Sequence, residues 1–220
     1  MSDPVRYSKA VHRAAFDAGN RLLARKDEPA DAGQHGQRAA SWLIRIIDAV
    51  EDGIRQTSSA PAPQTEDSAI AVLYRCIDTI VTRLWLAKQG LDAGEAGEVY
   101  ERIKPILDRI GRFALAPDLG IIAPFTAHHA MECLNEFVKV DPSGVLKIAW
   151  QLASRSPGYS LDSLAIEQVV KLVEVILADH RQQMREPESL RHLLDLLEIF
   201  AETGWPQALR LVWRLDEVFR

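Results

Sequence analysis

The segment from Leu161 to Gln183 is apolar around most of a helical circumference. It carries Leu161, Leu164, Ala165, Ile166, Val169, Val170, Leu172, Val173, Val175, Ile176 and Leu177. Its polar side is a thin line, Glu167, Lys171 and Glu174, at spacings of four and three. The next segment repeats the design. Leu190, Leu193, Leu194, Leu196, Leu197, Ile199 and Phe200 leave Arg191, Asp195, Glu198 and Glu202 as the polar stripe. A helix with so broad an apolar surface must be covered on two or three sides. It is either the central helix of a globule or an inner layer of a stack.

The rest of the chain reads the same way. Apolar residues recur at three and four, and no hairpin turn flanked by alternating residues occurs. The spacing predicts helices over 7–26, 38–55, 66–88, 95–116 (with Pro105 inside), 124–140, 142–155, 161–183, 187–203 and 205–220. Proline at the first helical position marks several starts: Pro124, Asp141-Pro142, Pro187 and Trp205-Pro206. The stretch Thr57-Ser58-Ser59-Ala60-Pro61-Ala62-Pro63-Gln64-Thr65 is a flexible linker or loop by composition. The expected organisation is an N-terminal helical hairpin over 1–56, the linker over 57–65, and a helical-repeat-like domain over 66–220. The fold class is all-α, with about nine helices arranged as antiparallel hairpins in a short α-solenoid-like array.

Laying residues 127–152 over 190–215 matches His129 with His192, Leu134 with Leu197 and Phe137 with Phe200. It also matches Leu146 with Leu209, Trp150 with Trp213 and Leu152 with Leu215. Each copy is a helix, a break containing proline, and a second helix ending in Trp. A unit that cannot bury its apolar face alone, repeated, is the logic of a solenoid. On this pattern, residues 124–220 resemble HEAT-like or armadillo-like helical arrays. The 63-residue offset exceeds one such repeat and implies three helices per unit. The resemblance implies a scaffold or partner-binding surface. The final stretch, Gly204-Trp205-Pro206 through Glu217, is similar to C-terminal helical segments of large bacterial multidomain proteins. That similarity implies a subunit or segment of a larger bacterial assembly.

Charge and composition exclude several classes of function. The formal charge is −5 and the pI about 5.7, which argues against a broad nucleic-acid footprint. The two cysteines, Cys76 and Cys133, each sit in an apolar helical pattern. They read as small buried hydrophobes and suit a reducing compartment. No apolar run follows Met1-Ser2-Asp3-Pro4, so no secretory signal is expected, and cytoplasm is the expected location. No segment has the apolar length of a membrane span.

Catalytic motifs are absent: there is no G-x-S-x-G, no Walker A run and no G-x-G-x-x-G. The one cluster of metal-capable residues is His128-His129-Ala130-Met131-Glu132-Cys133. His128 with Glu132, and His129 with Cys133, stand one helical turn apart. A zinc site needs three or four converging ligands, and no second cluster supplies them. Arg102, Lys104, Arg109 and Arg112, and then Arg210, Arg214 and Arg220, are the cationic candidates for an acidic partner or a phosphate. Interleaved acids favour ordinary pairing along the helix. Of the five tryptophans, Trp150 and Trp213 are expected between layers, and Trp205, beside Gly204, on the surface. The last helix stays apolar to Val218 and Phe219. With Trp205, these are the candidate partner contacts.

The expected function is a non-enzymatic scaffold or protein-interaction module without a cofactor, whose partner is another protein or a second copy. The alternative is a small all-α metal-dependent enzyme or ligand-binding bundle using His128, His129 and Glu132. A nucleic-acid adaptor using the arginine-bearing helices is the third possibility and the least favoured by the charge.

Overall fold

A computed structural model describes residues 96–115, 124–155, 160 and 163–216, together with 38, 40, 41, 44, 45, 48, 81, 82 and 85. Among the described residues the secondary structure is helical and contains no strand. The expected hairpin over 1–56 is described only at positions from 38 to 48, and these are helical. The expected linker over 57–65 lies outside the described residues. The chain divides into two compact units, Met1–Gly120 and Ile121–Arg220.

In the first unit, helix α1 spans Ala96–Leu115. Its buried side chains Val99, Ile103, Ile106 and Ile110 recur at three and four, which is why the segment is a helix with one inner face. Glu98 in the first turn and Arg112 in the last both suit the helix dipole. Pro105 sits inside the helix and cannot donate to the carbonyl one turn earlier.

Among the described residues of the second unit there are five α-helices. They are α2 (Pro124–Phe137), α3 (Pro142–Arg155), α4 (Ser163–Asp179), α5 (Pro187–Glu202) and α6 (Pro206–Trp213). A 3₁₀ turn at Gln183–Arg185 precedes α5 and buries Met184. The boundaries follow local chemistry. After Phe137 the chain turns, with the Val140 and Asp141 amides donating to the Phe137 carbonyl at 2.9 and 3.1 Å. Asp141 then caps α3, its Oδ1 accepting from the Gly144 amide at 2.8 Å. Pro187 and Pro206 each open a helix where their missing amide hydrogen has no partner to lose.

The end of α5 is a Schellman turn. Gly204 has φ +85° and donates to the Ala201 carbonyl at 2.9 Å, while the Trp205 amide donates to the Phe200 carbonyl at 3.4 Å. α6 runs to Trp213, the backbone turns at Arg214 and Leu215, and Asp216 is helical again; residues 217–220 of the expected helix lie outside the described residues.

Helix pairs share the core. α2 packs on α3 and on α4, α3 packs on α5, and α6 packs on both α4 and α5. The α2–α4 seam is pinned by the Asn135 amide, which donates to the Gln168 carbonyl at 3.1 Å and to its Oε1 at 2.9 Å. Lys171 with Glu136 (3.9 Å) and Lys139 with Asp179 (3.7 Å) flank it. Across the α3–α5 seam the Ser189 hydroxyl donates to the Ser143 hydroxyl at 3.0 Å. Lys147 reaches Glu188 at 3.9 Å, and Trp150 stacks on His192. Most of the broad apolar face of α4 is used: Ala165, Ile166, Val169, Leu172, Val173, Ile176 and Leu177 are buried, Val170 and Val175 are half-buried, and Leu164 is exposed.

The 63-residue offset has a counterpart in burial. Pro124 and Pro187 both open helices. Leu134 and Phe137 in α2 are buried, as are Leu197 and Phe200 in α5. Val145, Ile148 and Leu152 in α3 are buried, and so are Ala208, Leu211 and Leu215 at the same offset.

Candidate protein-interaction face

The segments related by the 63-residue offset differ on the other side of their second helix. In α3, Leu146 and Ala149 are fully buried and Trp150 is half-buried against His192, ring centres 4.7 Å apart at 28°. The corresponding residues of α6 are Leu209, Val212 and Trp213, and all three are exposed; Trp213 is 83% exposed. Trp213 therefore does not pack between layers as its equivalence with Trp150 suggested. Trp150 has α5 over it, and no described helix covers Trp213. A helix position repeated in sequence gives a residue the same angle on its helix, not the same neighbour.

α6 holds this face in place from behind. Ala208 and Leu211 are buried, Leu215 nearly so, and Arg214 reaches Glu174 of α4 at 3.9 Å. Trp205 is half-buried rather than exposed, its Nε1 donating to the Ser160 carbonyl at 2.6 Å. The Thr203 hydroxyl donates to the Phe200 carbonyl at 2.8 Å and approaches the Ser160 carbonyl at 3.3 Å. Val218 and Phe219, the other candidate contacts, lie outside the described residues.

Beside α6 runs a groove of about 470 Å³. Its lining comes from Glu167, Val170, Lys171, Glu174, Val175, Ala178 and Asp179 of α4 and Gln207 of α6. The floor is valine and alanine. The rim charges Lys171, Glu174 and Asp179 already pair with Glu136, Arg214 and Lys139. This is a shallow seam flanked by satisfied ions, without convergent polar groups of the kind that orient a small molecule.

The histidine cluster lies on α2. His128 Nε2 stands 3.6 Å from Glu132 Oε1, so the expected pairing along one helix face is present. Both side chains are largely covered, His129 is buried, and Cys133 is a free, buried thiol. Among the described residues no three histidine, cysteine, aspartate or glutamate side chains converge as ligands.

The cationic candidates are occupied in different ways. Arg109 reaches an acid far away in the chain. Its Nε and Nη2 donate to the two carboxylate oxygens of Asp48 at 2.7 and 3.0 Å, and its Nη1 to the Pro105 carbonyl at 3.1 Å. This two-pronged bond holds the Asp48 carboxyl below its ordinary value of 3.8. Lys104 pairs with Asp108 one turn on, at 3.7 Å, as the interleaved charges suggested. Arg210 is exposed on α6, its Nε 3.4 Å from the Pro206 carbonyl. Arg220 lies outside the described residues.

Compared with known proteins, the chain matches no protein-family model, no curated protein and no solved structure. No described helix is long and apolar enough to cross a membrane. The all-helical architecture and the surface chemistry of the second unit are therefore what bears on function.

Proposed function

We propose that this chain is a non-enzymatic helical scaffold whose α6 face docks another protein. The observation that carries this reading is Trp213, 83% exposed beside exposed Leu209 and Val212 on a helix whose opposite side is anchored in the core. Large apolar side chains presented together from a fixed helix are what protein interfaces use, and tryptophan is the residue most enriched where binding energy concentrates. The repeat-like burial of α2–α3 and α5–α6 supports a stacked, HEAT-like arrangement, of the kind that serves partner binding. The reading includes a place as subunit or segment of a larger assembly, of the bacterial kind that the last stretch resembles. Its setting is the reducing cytoplasm, in keeping with the free buried thiol of Cys133.

The test compares the full chain with Trp213→Ala and Leu209→Asp variants. Solution mass and co-purifying proteins are measured for each. The expected result is a defined partner or second copy held by the parent chain and released by both variants. Equal retention by parent and variants overturns the reading.

A further inference from the structure

The fit between α3 and α5 specifies what α6 is shaped to receive. Ser143, Lys147 and Trp150 of α3 face α5, and the fully buried Leu146 shares their helix stripe. Three of them make defined contacts there. Ser143 accepts from Ser189, Lys147 pairs with Glu188, and Trp150 stacks on His192. At the repeat offset these four become Pro206, Leu209, Arg210 and Trp213 of α6, and every one is exposed. Three of the four keep size and charge, leucine for leucine, arginine for lysine and tryptophan for tryptophan, while Pro206 replaces Ser143 and has no hydroxyl to bond.

A second pair of faces shows the same relation. Met131 and Asn135 of α2 are buried, and Asn135 is bonded to Gln168 of α4. Their equivalents on α5, Leu194 and Glu198, are exposed, Leu194 by 42%. The first helix pair is covered by α4 and α5. Among the described residues, no helix covers the corresponding surface of the second pair.

Building on the interaction reading above, we infer that the Pro206/Leu209/Arg210/Trp213 stripe receives an amphipathic helix from a partner protein, one with an acid in its first turn and a ring four residues later. The acid meets Arg210 as Glu188 meets Lys147. The ring lies on Trp213 as His192 lies on Trp150. Arginine over lysine permits a two-pronged bond to the carboxylate. Stacking of the ring on the indole adds orientation to the apolar contact with Leu209. The occupant is thus a helix of the α5 type.

The probe follows directly: a labelled synthetic peptide of residues 184–203, which contains the Glu188–His192 pair and no tryptophan. Its binding to the full chain is followed by fluorescence anisotropy. Saturable one-to-one binding is expected, weakened at least about tenfold by Trp213→Ala and by His192→Ala in the peptide. Arg210→Glu weakens binding as well, and a Glu188→Lys peptide restores it. That reversal separates α6 from exchange with the chain's own α5. Unchanged circular dichroism of the exposed-site variants excludes unfolding. No binding, or binding indifferent to both Trp213→Ala and Arg210→Glu, overturns the inference. A parent chain of doubled mass that Trp213→Ala makes monomeric also overturns it, because a second copy is then the occupant; the interaction reading survives that result. Loss of any role for Trp213 in partner retention overturns both.

Discussion

The indole of Trp150 lies nearly parallel to the imidazole of His192, and this stack joins α3 to α5. His192 is 2% exposed, and its burial holds the imidazole below its ordinary value of 6.5. Glu188 and Asp195 pull the other way, while Arg191 and Lys147 reinforce the burial. A histidine packed this way takes up its proton less readily than a free one.

Acid should therefore loosen the α3–α5 seam. An unfolded histidine takes up a proton near pH 6.5 and the folded one only at lower pH. Between those values the unfolded chain binds more protons, so stability rises with pH through that window. His192 contributes fully above pH 6.5, and its contribution falls as pH drops toward the folded value. Urea midpoints measured from above pH 6.5 down to about pH 5 should fall, and His192→Gln should flatten the part of the slope due to this group.

Trp150 and Trp213, 63 residues apart, should behave oppositely. Trp150→Ala removes a half-buried ring from a packed seam and should cost roughly 2–4 kcal/mol of stability. Trp213→Ala removes an exposed ring and should change stability by less than about 0.5 kcal/mol. Equal losses in chemical denaturation would contradict the burial difference between the two helices.

Asp141 closes the first turn of α3 by accepting from the Gly144 amide. Asp141→Ala leaves that amide without its side-chain acceptor and should cost about 1 kcal/mol. Asp141→Asn, which can still accept, should recover most of it. The denaturant midpoint reads both.

Gly204 has φ +85° with open space around its Cα. Gly204→Ala would meet no neighbouring atom, so its penalty comes from the backbone alone, about 1 kcal/mol. A thermal midpoint indistinguishable from the parent's would show that the Schellman turn is not needed to end α5.

Much of this architecture is legible in the sequence because helix boundaries are written in local chemistry. Asp141-Pro142, Pro187, Gly204 and Pro206 each act within a few residues, and all four sit where the spacing predicts. The broad apolar face of α4 could likewise be read from period alone. Partners remote in the chain left no such trace. Arg109 stands 61 residues from Asp48, and neither neighbourhood announces the other. The exposure of Trp213 escaped for a related reason. Its pattern matches that of Trp150, and only three-dimensional packing decides which of the two gains a cover. Trp205 looked like a surface residue beside a turn, and the carbonyl of Ser160, 45 residues earlier, draws it in. His128 and Glu132 were expected to share a face and do, since one helical turn separates them.

The hydrogen bond from Trp205 to Ser160 ties the start of α6 to the chain ahead of α4. Under the proposed docking, a helix arriving at Leu209 and Trp213 would meet a handle already tied to the core. It gives up its own motional freedom without also having to freeze α6, so differences in affinity among such helices should follow how well ordered each one is before it arrives.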